Sequence, residues 1–385
     1  MSMPDAPRAP LRVLVGMPLA GRLGGAERLL ETVLPHALDA GIAPHVIFFE
    51  HGPLATALGA KGIRTTVIPV ARPNDPLLAV RTIARLRRLI ARDDPEVVLA
   101  WLPRAHTWLA PAAVLARRAD RLVWWQHHIS RGERLEIVAT LLPARCVIAT
   151  SDAAAEAQRA RRPRRSCTVI RPGIDLPAAS DASARADLRA RLGIPPGRTI
   201  VGIAGRLVRW KGHERFVDAV ALLHRSGRDV AGLVVGGVAY GIDGGLPERQ
   251  RRRAEAAGLA DRVVFTDHTD DPLTHIALMD VLVSATVGEP FGLTLVEAMA
   301  VGTPVVAVGH AGPAEIVMPG VSGVLTPDGQ PESIAAAVAA LLDDDELRER
   351  VRAGGRARVE EHFTADRMAA DMTRVLRTVA HAAAA

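Results

Sequence analysis

Lysine is almost absent from this chain. Of 48 basic side chains in 385 residues, only Lys61 and Lys211 are lysines, and the other 46 are arginines. Asparagine occurs once, at Asn74. Codon bias in a GC-rich bacterial genome produces this pattern, so a surviving lysine is a candidate for one whose chemistry is wanted. Aromatics are also scarce: five Trp, six Phe and one Tyr, 3% of the chain. With few stacking platforms and a formal net charge of only +6, the composition argues against a nucleic-acid partner. The two cysteines, Cys146 and Cys167, form no CxxC pattern, which excludes a zinc site or a disulfide framework and suits a reducing cytoplasm. No apolar run reaches the roughly 18 residues a membrane span requires. The short apolar stretch Leu11 to Ala20 reads as a first strand rather than a signal peptide.

What the chain does have is length for two or three domains, with 49% hydrophobic and 23% charged residues, an ordinary globular composition. Short apolar runs alternate with amphipathic stretches. In the first half the expected strands are Leu11–Met17, His45–Phe49, Thr65–Val70, Val97–Trp101, Leu122–Gln126, Cys146–Thr150 and Thr168–Ile170. Glu27–Ala40 and Leu77–Ala91 carry helical periodicity between them. Around residues 171–200 the texture becomes polar and Pro/Gly-rich, as in a linker. A second series follows, with strands at Thr199–Ala204, Gly232–Val235, Val263–Phe265, Val281–Ser284, Pro304–Val308 and Gly323–Leu325. The order βαβα implies mostly parallel sheets covered by helices on both faces. The expected fold is therefore α/β, with two Rossmann-like, doubly wound domains facing each other across a deep cleft. They are expected at residues 1–180 and 181–361, with a terminal helical segment, 362–385, packing back on the first domain.

Two segments concentrate chemistry. In Gly202–Gly212 a strand ends at Gly205 and a helix begins near His213, so Arg206 and Lys211 project from a strand-end loop. Two cations there can hold a diphosphate and neutralise a leaving phosphate; a solvated basic loop is the plainer alternative. In Gly288–Ala300 a strand end, a Pro/Gly turn and a helix start near Leu293 offer backbone amides to an anion. Glu289 lies in that turn and Glu297 eight residues later in an apolar helix, where a carboxylate suits the two hydroxyls of a ribose.

Taken together, Glu289-Pro290-Phe291-Gly292, Glu297-Ala298-Met299-Ala300 and Gly302-Thr303-Pro304-Val305-Val306 resemble the glutamate–seven–glutamate signature of retaining nucleotide-sugar glycosyltransferases. The resemblance is to glycosyltransferase family 4, a GT-B family that includes bacterial mannosyl-, glucosyl- and N-acetylglucosaminyltransferases. Gly205-Arg206-Leu207 through Lys211-Gly212, Gly312–Val317 with Gly320–Gly323, and the N-terminal Gly24-Gly25-Ala26-Glu27 fit the same pattern in order and spacing. The resemblance implies that Arg206 and Lys211 grip the donor diphosphate, Glu297 binds the ribose and Glu289 holds the transferred sugar. It implies backbone contacts from Phe291, Gly292, Leu293 and Thr294, from Gly205, and from the first-domain loop at Gly24 and Gly25. Thr266, with Asp267 and His268, falls where the family's backbone meets the nucleobase. His127 matches a histidine near the reacting carbon, with the adjacent His128 as the alternative.

The same resemblance implies transfer of a hexose or N-acetylhexosamine from UDP or GDP to an acceptor hydroxyl with retained anomeric configuration. The nucleotide sugar is then a co-substrate, and neither a cofactor nor a bound metal is required. Asp343-Asp344-Asp345 reads as solvated residues before a helix, not as a metal pair. Trp124-Trp125 reads as strand core, with acceptor contact as the sharper reading, and Tyr240 as a loop residue near the donor. The five arginines of Arg159–Arg165 suit either a solvated helix end or peripheral contact with an anionic membrane or acceptor. The acceptor, whether lipid-linked, glycan or small molecule, is not encoded in a transferable motif. An epimerase or hydrolase acting on nucleotide sugars, and a non-catalytic sugar-nucleotide binder, are the alternative functions.

Overall fold

The computed structural model describes residues 9–70, 75–130, 132–178, 181–238 and 244–384. Two compact units divide it: one runs to Gly173 and takes back the chain from Ala365, and the other spans Ile174–Thr364.

The first unit runs β1 (Leu11–Met17), α1 (Gly25–Asp39), β2 (Ile42–Phe48), α2 (Pro53–Ala60), β3 (Arg64–Val67), α3 (Pro76–Asp93), β4 (Val97–Trp101) and α4 (Pro103–Leu115). It continues with β5 (Leu122–Gln126), α5 (Arg134–Leu141), β6 (Cys146–Ala149), α6 (Asp152–Arg161) and β7 (Cys167–Val169). Its seven strands lie in the order β3-β2-β1-β4-β5-β6-β7 and all pair in parallel. A parallel sheet is buried on both faces, which is why β4, and β5 up to its final Gln126, are continuous apolar runs with every residue buried.

The second unit runs α7 (Ala182–Arg191), β8 (Thr199–Ala204), α8 (His213–Arg225), β9 (Val230–Val235), α9 (Leu246–Ala256), β10 (Val263–Phe265) and α10 (Pro272–Ala277). Then come β11 (Val281–Ser284), α11 (Leu293–Ala300), β12 (Val305–Val308), α12 (Gly312–Ile316), β13 (Val324–Thr326), α13 (Pro331–Asp343) and α14 (Asp345–His362). Its six parallel strands lie in the order β10-β9-β8-β11-β12-β13. The final helix, α15 (Ala365–Ala384), belongs to the first unit, where it packs against α1.

Both units are therefore doubly wound α/β folds of Rossmann type. In each, the strand order reverses once: between β1 and β4 in the first unit, and between β8 and β11 in the second. At such a reversal the loops at the strands' carboxyl ends diverge to opposite faces and leave a crevice for a ligand.

Most strands begin and end where the apolar runs do, and the exceptions have local causes. Strand β2 starts at Ile42, earlier than the expected His45, because Pro44 is tolerated opposite Val13. Strand β3 stops at Val67, short of the expected Val70, because Pro69 has no N–H to donate. The backbone nevertheless still follows the neighbouring strand, with Ile68 and Val70 donating to Phe48 and Phe49 at 2.8 and 3.1 Å. Proline does not end α4 either: Pro111 lies inside it.

Candidate functional site

In the second unit the loops after β8 and β11 meet at the strand-order reversal. The Lys211 Nζ lies 2.5 Å from the Glu289 Oε2. Both side chains are largely buried, 19% and 9% exposed. Among the described residues, Lys211 is the one side-chain partner of this carboxylate. The ammonium also sits 4.4 Å from the Trp210 ring centroid. Their 78-residue separation in sequence is closed by the parallel pairing of β8 with β11.

The backbone laces the same loops together. Thr286 Oγ1 donates to the Lys211 carbonyl at 3.4 Å, and Arg215 donates to the Ala285 carbonyl at 3.1 Å. Gly212 takes φ +76°, and a Cβ there would collide with the Ala285 carbonyl oxygen, so only glycine lets the two loops approach. A third loop joins from β12, where the Gly312 amide donates to the Glu289 carbonyl at 3.0 Å. Beside it Ala311 adopts φ 60° and ψ −133°, a conformation that disfavours any side chain.

Arg206 stands half-buried in the loop after β8, with no ion-pair partner among the described residues. Gly205 precedes it at φ +143°, and its amide donates to Val235 at 2.9 Å. Helix α11 begins at Leu293 behind Gly292, which takes φ +110° and supplies no side-chain cap. The first amides of α11, at Leu293 and Thr294, have no intrahelical acceptor, and no side chain caps them. This is an uncapped, electropositive helix end of the kind that receives anions.

The Phe291 ring is a core group, packed edge-on to Phe363 with ring centroids 5.8 Å apart. Glu297 lies one turn into α11, a buried carboxylate among Val296, Ala298 and Met299. Thr266 follows β10: its amide donates to the Val234 carbonyl and its hydroxyl to the Asp267 carbonyl, so this turn offers backbone more than side chain. Exposed His268 faces Asp270 at 3.6 Å. Tyr240 lies outside the described residues. In this unit the structure thus brings together Arg206, Lys211, Glu289 and the start of α11 on adjoining strand-end loops.

Sequence reasoning missed His213, the first residue of α8. It is buried, both ring nitrogens lack a hydrogen-bond partner among the described residues, and burial together with the nearby Lys211 charge lowers its pKa to about 4. Its position directly after Lys211-Gly212 was the available signal.

In the first unit, Gly24 caps α1 in an extended conformation and Gly25 opens the helix, again without a side-chain cap. Glu27 is buried in that first turn. Trp101, at the end of β4, donates its indole N–H to the Ala26 carbonyl at 3.0 Å and so ties α1 across the strand-order reversal. In the sequence Trp101 reads only as the end of a strand; in the structure it pairs in register with Trp125 on β5. His127 follows β5 with its ring against Trp101 at 4.5 Å and Trp125 at 5.6 Å. Both its ring nitrogens are buried without a hydrogen-bond partner among the described residues, and burial, helped by the neighbouring His128, holds its pKa well below 6.5. His127 is therefore a neutral imidazole. His128 turns elsewhere, to the buried Glu136 at 3.3 Å, which also accepts from Ser130 at 2.9 Å. Trp124 is core, stacked on buried His106 at 4.9 Å.

Asp343, Asp344 and Asp345 are all exposed, as residues solvated before a helix, and each also has a partner. Asp343 pairs with Arg228 at 2.5 Å, Asp344 caps α14 and Asp345 pairs with Arg348. Among the described residues no three His, Cys, Asp or Glu side chains are grouped to hold a metal ion, and no helix is long and apolar enough to cross a membrane.

Comparison with known proteins follows the same division of the chain. Residues 184–358 match the model for glycosyl transferases group 1, and residues 23–177 match that for Glycosyltransferase Family 4. A GDP-mannose-dependent alpha-(1-6)-phosphatidylinositol monomannoside mannosyltransferase of Mycobacterium tuberculosis is 32% identical over 332 residues, 80% of this chain and 83% of that protein. A D-inositol 3-phosphate glycosyltransferase of Jonesia denitrificans is 36% identical over 214 residues, but the match spans only 50% of its length and 54% of this chain. Among solved structures, Anabaena Alr3699/HepE in complex with UDP and glucose superimposes with a TM-score of 0.84 at 26% identity, covering 95% of this chain and 99% of that one. Two parallel Rossmann-like units, family matches on both, and a relative aligned over most of its length place the chain in the GT-B glycosyltransferases of group 1, family 4.

Proposed function

We propose that this glycosyltransferase moves a hexose or N-acetylhexosamine from a UDP- or GDP-linked donor to an acceptor hydroxyl, with retention at the anomeric carbon and without a bound metal. The observation that carries the reading is the Lys211–Glu289 pair beside the uncapped start of α11. An incoming diphosphate finds three positive elements on adjoining loops: unpartnered Arg206, Lys211, and the amides of Leu293 and Thr294. In that contact the Lys211 ammonium exchanges part of its bond to Glu289 for phosphate oxygen. Glu289 is then free to accept from sugar hydroxyls, and buried Glu297 can accept from the two ribose hydroxyls.

In the transfer step the acceptor oxygen bonds to the anomeric carbon as the carbon–oxygen bond to the β-phosphate breaks. The acceptor's proton passes to a phosphate oxygen of the departing diphosphate. Charge building on that diphosphate is what Arg206, Lys211 and the helix start would stabilise. With both ring nitrogens shielded and its pKa held well below 6.5, His127 is suited to accept or donate a hydrogen bond rather than to supply charge. The printed names of two relatives point to inositol-containing acceptors and one to GDP-mannose, whereas the solved neighbour carries UDP and glucose. Both donor classes therefore belong in the test.

That test is a thermal-shift screen with UDP, GDP, UDP-glucose, UDP-N-acetylglucosamine and GDP-mannose. A ligand bound only by the folded state raises the melting temperature, by about 2.7 kcal/mol of stabilisation at a hundredfold excess over its Kd. A selective rise with one nucleotide supports the donor assignment; no rise with any of them overturns it. Anomeric analysis of the product by NMR then decides retention.

A further inference from the structure

Helices α3, α4 and α5 connect successive strands on one face of the first sheet, and they pack side by side, α3 on α4 and α4 on α5. Their outer surface is unusual. Nine of the fourteen large apolar side chains exposed among the described residues lie on these three helices.

Helix α5 is inverted. It buries Glu136, Ala139 and Thr140, while Leu135, Ile137, Val138 and Leu141 are 45%, 43%, 49% and 63% exposed. Helix α3 exposes Leu77 and Val80, 73% and 66%, in its first turns, followed by Arg81, Arg85, Arg87, Arg88 and Arg92. Arg92 pairs with Asp93, whereas Arg81, Arg85, Arg87 and Arg88 have no carboxylate partner among the described residues, and neither does Arg134 on α5.

The basic run Arg159–Arg165 completes the edge. Arg162 donates to the carbonyls of Thr140 and Leu141, and Arg165 to that of Leu142, at 2.7 to 3.1 Å. These neutral acceptors end α5 without cancelling either charge. The surface therefore combines outward aliphatic side chains with a surplus of uncompensated guanidinium.

We propose that the α3–α4–α5 face docks on an anionic lipid surface, with the aliphatic groups entering the headgroup boundary and the arginines meeting lipid phosphates. Charge decides the occupant. A soluble partner could cover the aliphatic patch alone, but the unpaired cations that frame it are complementary to a negatively charged interface. A second copy of this chain would set the same cations against each other. The proposal does not depend on the donor assignment, because it concerns a different face of the first unit.

The experiment is co-sedimentation of the full chain with phosphatidylcholine vesicles, with and without phosphatidylglycerol, over a range of salt. The expected result is binding to the anionic vesicles that weakens as salt rises. Ile137→Asp/Leu141→Asp and Arg81→Glu/Arg85→Glu should each lower the partition coefficient about tenfold or more. All four positions are exposed, and unchanged melting curves will show that the variants fold. Absence of the wild-type protein from the anionic pellet overturns the proposal. So does partitioning that neither variant changes, or a dimer in solution that Ile137→Asp/Leu141→Asp converts to monomer. Nucleotide-dependent thermal shifts read the donor site separately, so the two proposals fail independently.

Discussion

Replacing Lys211 by methionine keeps most of the side chain's length over the Trp210 ring and removes its charge. The structure fixes what is lost. Glu289 is a 9%-exposed carboxylate whose cation stands 2.5 Å away, and no other side chain replaces it among the described residues. Breaking one half of such a pair strands a buried charge and costs about 3 kcal/mol. For a domain the size of the second unit, that lowers its melting temperature by roughly 6–12 °C. Adding Glu289→Gln to Lys211→Met removes the stranded charge, so the double variant should regain most of the loss. A double-mutant cycle should then give a coupling energy of about 1.5 kcal/mol or more. Differential scanning calorimetry of the four proteins is the assay. The reasoning is refuted if Lys211→Met melts within about 1 °C of wild type, or if the double variant is less stable than either single one. Transfer should fall by about a hundredfold or more in both single variants, including any that folds fully, because the cation and carboxylate are both assigned to the donor.

Three other outcomes follow from named contacts. Gly212→Ala should cost about 3 kcal/mol, from left-handed strain plus collision with the Ala285 carbonyl, read as a lower denaturant midpoint. Gly258→Ala is the comparison, because it has a similar φ of +74° but open space around it, and should cost only the strain. His213 has a folded pKa of about 4 against 6.5 unfolded, so the unfolded chain binds the extra proton between these values. Its contribution is full above pH 6.5 and is lost as pH falls toward 4; His213→Gln should flatten that part of the stability profile by up to about 1.4 kcal/mol per pH unit. A profile as steep in the variant as in wild type would assign the acid sensitivity to other groups.

The sheet strands were legible because parallel, doubly covered strands must be largely apolar, as Val97–Trp101 is throughout and Leu122–Gln126 is up to its last residue. The start of α8 at His213 and of α11 at Leu293 were legible too, from the glycines that precede them. What sequence could not supply was contact between distant loops. Nothing local to Lys211 announces Glu289, and nothing near Trp101 announces the Ala26 carbonyl; both contacts arise from the neighbouring of β8 with β11 and of β1 with β4. Nor does local pattern give the orientation of α5, whose polar Glu136 turns inward to His128 and Ser130 while its aliphatic residues face out. Four of the five arginines of the 159–165 run, Arg159, Arg161, Arg162 and Arg165, are tied to backbone carbonyls.

The central claim is that the second unit holds a nucleotide sugar through the loops after β8 and β11 and through Glu297. Calorimetric titration of UDP and GDP into wild type and Glu297→Ala tests it most directly. The account predicts saturable one-to-one binding of one of the two nucleotides by wild type. It also predicts a loss of at least about 2 kcal/mol, roughly thirtyfold in Kd, when the buried carboxylate can no longer accept from the ribose hydroxyls. Equal affinity in the two proteins, or no binding of either nucleotide to wild type, would contradict it.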